Sequence, residues 1–316
     1  MQEPAVMKIE SGQRRRRRSS LWHDAMRHLF RQRSAILGMI ILGVMVSLAI
    51  FAPFISTHDP TLSMLDVPEE AALRVKRRTP PCIHLLGCPP DQPQHLMGLD
   101  SNVRDLFSRV VYGSRYSLYI GFASVGFAIV IGSLLGALAG YMGGWVDNIV
   151  MRLMDVLLAF PALLLAIAIV TVLGPGLVNA LLAIGIVSIP SYARVMRASV
   201  ISIRERDFVM ADRALGVSSI RILFHRILPN SITPLIVQGT LGIATAILDA
   251  AALSFLGLGA QPPTPEWGTM LGAERNQVFT APHLVFFPGI AIMLVVLSFN
   301  LLGDGLRDAL DPRLNR

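Results

Sequence analysis

Charge is scarce in this chain: only 16% of its 316 residues are Asp, Glu, Lys or Arg, against about 25% in soluble domains. The lysines are Lys8 and Lys76, and neither follows a glycine. A G-x-x-x-x-G-K-[ST] loop that cradles nucleotide phosphates is therefore excluded. The chain also lacks an H-E-x-x-H metalloprotease motif, a Gly-rich dinucleotide loop and a Ser-His-Asp signature, so an enzyme is not expected. Cysteine is limited to Cys82 and Cys88, which excludes a disulfide-dense scaffold. What the sequence has in quantity is apolar residues, 53% of the total, gathered into runs of about twenty, the length that crosses a bilayer as a helix. The net charge of +7 would suggest nucleic acid in a soluble protein. In a membrane protein Arg and Lys mark the cytoplasmic side instead, so no nucleic acid is expected.

The chain reads as an all-α polytopic membrane protein of six transmembrane helices with both termini cytoplasmic. Residues 1–34 form a basic cytoplasmic tail ending in an interfacial helix, where Trp22, Leu29 and Phe30 lie among Arg27, Arg31 and Arg33. The block Arg14–Arg18 is either a topology signal alone or a contact for anionic membrane lipid, at about 1 kcal/mol per charge. Residues 35–56 are the first span, and 57–112 a proline-rich extracytoplasmic loop. Residues 113–303 hold the other five, expected near Ser117–Tyr141, Ile149–Leu173, Leu177–Val195, Ile232–Leu256 and Leu284–Leu302. Residues 304–316 are a cytoplasmic tail. Gly132, Gly136 and Gly140 recur every four residues, a small-xxx-small face that lets helices approach closely. Pro161 falls inside the third expected span.

Between the fourth and fifth spans lies the one long polar passage of the second half, RERDFVMADRALGVSSIRILFHRILPN, Arg204–Asn230. It reads as two short amphipathic helices. Asp207 is placed to cap the first, with Phe208, Ala211 and Leu215 on one face and Gly216 as its left-handed stop. Ser218 or Ser219 is placed to cap the second, where Ile220, Leu223, Phe224 and Ile227 follow helical spacing and Pro229 ends it. Arg206, Arg213, Arg221 and Arg226 surround the apolar residues.

This passage resembles the EAA loop of membrane subunits in bacterial binding-protein-dependent ABC importers. Gly216, Leu228 and Pro229 match that pattern, as does Ala211, while Met210 stands where the family has Glu and Asp212 where it has a second Ala. HLMGLDSNVRDLFSRVVYGSRYSL (His95–Leu118) is similar to the segment before the second span of peptide-importer permeases, with Val103 where a Gly is usual. AGYMGGWVDNIVMRLMDVLLAFP, SFLGLGAQPPTPEWGTML and FNLLGDGLRDALDPRL extend the likeness over about residues 20–315. The pattern resembles the second permease subunit of dipeptide, oligopeptide and glutathione importers, and nickel importers share much of it.

The resemblance implies a type I ABC importer permease fold in the bacterial cytoplasmic membrane. Its partners would be a second permease subunit, two ABC ATPase subunits that hold ATP and Mg, an extracytoplasmic solute-binding protein, and a peptide as cargo. This chain itself would hold no cofactor. The ATPase-coupling residues implied are Phe208, Ala211, Asp212, Leu215, Gly216, Ile220, Leu223, Phe224, Leu228 and Pro229. The alternatives are glutathione or nickel-chelate import by the same architecture, or, in a different class, a self-contained secondary transporter or channel. That class usually places several ionisable groups at mid-bilayer, and here such charge is sparse.

Three further features each carry more than one reading. Asp249 lies in the fifth span, where a charge costs about 2.5–3.5 kcal/mol, so it lines the pathway, meets the second permease, or pairs within the bundle. Ser254 precedes, and Trp267 lies within, GLGAQPPTPEWG, which is either part of the outer gate or a rigid turn with its Trp at headgroup level. Cys82 and Cys88 suit a disulfide outside the cell. Free thiols, or a zinc site shared with His84 and His95, are the other options, but the spacing matches no standard metal motif and no metal is expected.

Overall fold

The computed structural model describes residues 26–64, 76–89 and 94–310. The arginine block, Trp22 and the last six residues lie outside that range.

Among the described residues the chain is all-helical. α1 (Arg33–Ile50) is followed by the single turn α2 (Ala52–Ile55) and then by an irregular segment. α3 (Leu106–Met142), α4 (Gly144–Leu158), α5 (Ala162–Leu173) and α6 (Leu177–Arg204) come next. α7 (Asp207–Ala214) and α8 (Ser219–Ile222) are short; α9 (Leu228–Phe255), α10 (Trp267–Glu274) and α11 (His283–Leu310) complete the chain. Five helices are long and apolar enough to cross a membrane, and the α4–α5 pair makes a sixth if it is counted as one span.

The bundle is assembled around α3 and α6, which touch along the glycine face. A Cβ on Gly132 would sit 2.8 Å from the Ile189 carbonyl oxygen, one on Gly140 2.9 Å from that of Arg197, and one on Gly136 would overlap the Ala193 carbonyl. Only hydrogen fits there, so the two backbones meet without side chains between them. α9 closes on the same core through Ile243, Ile247 and Leu253, and α11 through Val295 and Phe299. α1 leans on α11, where a Cβ on Gly38 would sit 2.9 Å from the Ser298 carbonyl oxygen.

The third expected span is not a continuous helix. α4 and α5 meet at an angle of 91°. Pro161 has no N–H to donate and disfavours helix in the residue before it, so the helix stops at Leu158 and restarts at Ala162. Apolar composition runs unbroken across the bend, which is why periodicity passes over it. α4 exposes Trp145, Ile149, Leu153 and Val156, and its acids are held by α6: Arg197 forks onto Asp147, and Arg194 Nη2 donates to Asp155 at 2.6 Å.

The second expected span begins eleven residues earlier than its apolar run, at Leu106. Asp105 caps it by accepting from the Ser108 N–H at 2.8 Å and the Ser108 hydroxyl at 2.7 Å. Burial pushes this carboxyl upward, but hydrogen bonds from His95 and Ser108, with the charge of His58, outweigh burial and hold it below the ordinary Asp range. Just before the cap, Val103 takes a left-handed φ of 56°, the conformation a Gly would adopt freely. The turn is kept and the side chain bears the strain, of order 1–3 kcal/mol.

Candidate functional site

The two ends of the bundle are built differently. At the end rich in arginine, α7, Gly216 and α8 form a knuckle between α6 and α9. Its root is fixed firmly. Arg204 Nη1 donates to the Gly140 and Tyr141 carbonyls at 3.0 and 3.2 Å, tying the end of α6 to the end of α3. Val209, Ile222, Leu223 and Ile227 are buried in the main core. Arg226 Nε donates to Asp212 Oδ2 at 2.8 Å, bracing α7 against the turn before α9.

Gly216 has a φ of 76° with open space around it, so it is the left-handed stop the sequence implies. Outward from this root the knuckle presents Phe208 (42% exposed), Leu215 (81%), Ile220 (74%) and Phe224 (52%). Met210 and Ala211 are exposed beside them. Arg206, Arg213, Arg221 and Arg226 are exposed around this face. An apolar face of this kind inside a basic ring is suited to burial against another molecule.

Several expectations change here. Asp207 does not cap α7: it is the first helical residue, and Arg206 holds the cap position with no side-chain bond. Asp207 still favours the helix through the N-terminal dipole. Ser218 occupies the cap position of α8, also without a side-chain bond. Pro229 does not end the second helix. A π-helical turn, Leu223–Ile227, carries α8 directly into α9, with Pro229 in the first turn of α9. Leu223 is only 7% exposed and Ile227 fully buried, so neither belongs to the outward face. Ile220 and Phe224 share one face and Leu223 and Ile227 the other, four residues apart in each pair. Leu228 is half-buried at the start of α9 and Pro229 exposed.

The residues that hold the knuckle in place, Val209, Ile222 and Arg204, were not singled out by periodicity. Val209 follows Phe208 directly, and only the packing against α6 shows which of the two turns inward.

At the opposite end the polar groups turn inward. Glu266, 1% exposed, caps α10: Oε1 accepts from the Gly268 N–H and Oε2 from the Thr269 N–H, both at 2.9 Å. The same Oε1 accepts from the Ser117 hydroxyl of α3 at 3.3 Å. Trp267 is fully buried and its Nε1 donates to the Val110 carbonyl at 2.9 Å. Ser254 is 3% exposed beneath the turn at Gly259. Both residues are buried within the bundle, and the Trp267 indole is bonded inside it rather than placed at headgroup level; the segment between α9 and α11 folds back into the bundle.

Arg109, buried, donates to the carbonyls of Pro60 and Pro263 at 2.7 and 3.2 Å and lies 3.5 Å from Asp100. Asp249 is half-buried in α9 and makes no hydrogen bond or ion pair among the described residues. Cys82 and Cys88 are joined as a disulfide with Cα atoms 5.4 Å apart.

Comparison with known proteins agrees with this architecture. Residues 132–316 match the family described as "Binding-protein-dependent transport system inner membrane component". Residues 20–81 match "N-terminal TM domain of oligopeptide transport permease C". The chain is 49% identical to the dipeptide transport system permease protein DppC of Alkalihalophilus pseudofirmus, over 93% of this chain and 91% of that one. It is 48% identical to the di/tripeptide transport system permease protein DppC of Pseudomonas aeruginosa, with 89% of each covered. To the glutathione transport system permease protein GsiD of Escherichia coli it is 44% identical, over 93% of this chain and 91% of the relative. An inward-facing structure of the MetNI methionine ABC transporter shares the fold, with a TM-score of 0.53 at 20% identity, covering 64% of this chain and 96% of that one. The chain therefore belongs to the inner-membrane components of binding-protein-dependent transport systems, the non-catalytic permease part of an ABC transporter.

Proposed function

We propose that this chain forms half of the translocation pathway of an ATP-driven importer for di- or oligopeptides, handed over by a solute-binding protein. Phe208, Leu215, Ile220 and Phe224, exposed on a root that is otherwise buried, are the observation that carries this reading. Full burial of one such side chain is worth about 1.5–3 kcal/mol, so a partner that covers all four gains a firm hold. That partner is an ATPase subunit, one of two that bind ATP and Mg. A second permease completes the pathway.

In this reading the knuckle and both termini are cytoplasmic. Residues 57–112 and the segment containing α10 face the outside, where the disulfide fits an oxidising compartment. The division into a tail (1–34), a first span (35–56), an outer loop (57–112), a core (113–303) and a C-terminal tail (304–316) follows from the same assignment, though α11 continues as helix to Leu310. Peptide as cargo rests on the relatives named for dipeptides and tripeptides. The glutathione permeases at 41 and 44% identity favour glutathione as the second reading.

The test is Phe224→Glu. The substitution places a charge on the exposed face and leaves the buried root alone, so the chain should fold and reach the membrane while the ATPase no longer co-purifies. Full retention of the ATPase by a folded Phe224→Glu chain would refute the docking assignment. Cargo is decided separately, by a thermal-shift screen of the binding protein against dipeptides, oligopeptides, glutathione and nickel chelates.

A further inference from the structure

Three residues converge at the start of α3, His58 from the far side of a long loop, and His95 and Asp105 from positions ten apart in the stretch that leads into the helix. His58 follows α2, His95 lies in the stretch leading to α3, and Asp105 is the α3 cap. His95 Nδ1 is 3.1 Å from Asp105 Oδ1, and His58 Nδ1 is 3.9 Å from Asp105 Oδ2. The two imidazoles stand 5.2 Å apart, centroid to centroid. One donor atom from each of the three residues can be chosen so that all lie within 4.8 Å of one another.

The cap does not need this company. The Ser108 N–H and hydroxyl already satisfy Asp105 Oδ2, as a helix start requires. Two imidazoles beside the same carboxylate are in excess of that. More telling is His95 itself: it is 2% exposed, and its Nε2 has no hydrogen-bond partner among the described residues. A buried polar atom without a partner costs about 1–3 kcal/mol, and such atoms are rare in folded proteins.

His95 is also held in advance. Its N–H and carbonyl pair both ways with Cys82, at 3.0 and 2.9 Å, and Cys82 is locked by the disulfide to Cys88. The His58 side chain, by contrast, is 39% exposed, so the cluster is open to solvent on that side.

We propose that His58, His95 and Asp105 bind a divalent transition-metal cation of the Zn²⁺ type. Two imidazole nitrogens and one carboxylate oxygen are donors that Zn²⁺ accepts, with a fourth position left to water. Mg²⁺ and Ca²⁺ take oxygen ligands almost exclusively, so this donor set selects against them. The ion braces the segment after the first span, the disulfide-bearing loop and the first turn of α3 as one unit. The cysteines take no part, because they are consumed in the disulfide.

The experiment uses the full chain purified in detergent, stripped with EDTA and re-equilibrated with Zn²⁺, with bound metal measured by mass spectrometry. Wild type should retain one Zn²⁺ per chain. His58→Ala, at the solvent-facing side, leaves the fold intact and should bind at least about tenfold more weakly. His95→Gln should do the same, and His225→Ala, on the knuckle, should bind as wild type does. Replacement by Co²⁺ provides a second readout, a visible spectrum of low-coordinate cobalt with nitrogen ligands that His58→Ala abolishes. Equal zinc content in wild type and His58→Ala, no zinc in wild type, or a preference for Mg²⁺ or Ca²⁺ would each overturn the proposal.

Discussion

The two ends of this bundle solve opposite problems. At the knuckle, apolar side chains point out and the anchoring contacts point in. At the α10 end, carboxylates and an arginine point in, and nearly every one of them is matched by a donor or acceptor of the same chain. Glu266 is satisfied by Gly268, Thr269 and Ser117 without help from another molecule. Phe224 and Ile220 are left 52% and 74% exposed by the described residues of their own chain. The α10 end matches most of its buried polar groups within the described residues, whereas the knuckle leaves an apolar face exposed, the face that the proposed docking would cover.

That contrast breaks most visibly at adjacent residues. Leu223→Glu buries a charge without a partner in the core and should cost about 4 kcal/mol or more, read as loss of folded chain in the membrane. Its neighbour Phe224 accepts the same change with the fold intact. If Leu223→Glu folds normally, the division between root and face is wrong.

At the far end, Glu266→Ala should destabilise the chain by about 2 kcal/mol, since it strands the Ser117 hydroxyl and two amide donors. The measurement is a lowered thermal midpoint in detergent, with ATPase co-purification unchanged. An equal loss of ATPase binding would show that the two ends are not separable. The smallest effect belongs to Asp212→Ala. Its partner Arg226 is 57% exposed, so the pair is worth at most about 1 kcal/mol, and the midpoint should hardly move.

Much of this was legible from the residues. The apolar runs located the spans, the four-residue glycine spacing marked the α3–α6 contact, and Gly216 announced the turn of the knuckle, because each of these signals is local and periodic. The π-helical turn was not legible: Ile220, Leu223, Phe224 and Ile227 fit one amphipathic face on paper, and tertiary packing splits them into two. The bend at Pro161 was hidden because the residues on either side of it, Val156–Phe160 and Ala162–Ala166, are all apolar. The inward folding of Ser254 and Trp267 depends on Glu266 finding Ser117, 149 residues away in sequence, and no short-range pattern carries that. That His58 joins His95 and Asp105 was invisible for the same reason, since it comes from the other side of a long loop.

The π-helical turn does more than re-aim side chains. Because it joins α8 to α9 without a break, Ser219–Phe255 is one helical run of 37 residues, about 55 Å long at 1.5 Å per residue. Pro234 removes one ladder hydrogen bond from it, but a single helical run still links the knuckle to the far end of the bundle. Tilting it by roughly 5° would swing its tip by about 5 Å, and the tip lies under α10, where Gly268 and Gly272 rest on the backbone of Ala251 and Phe255.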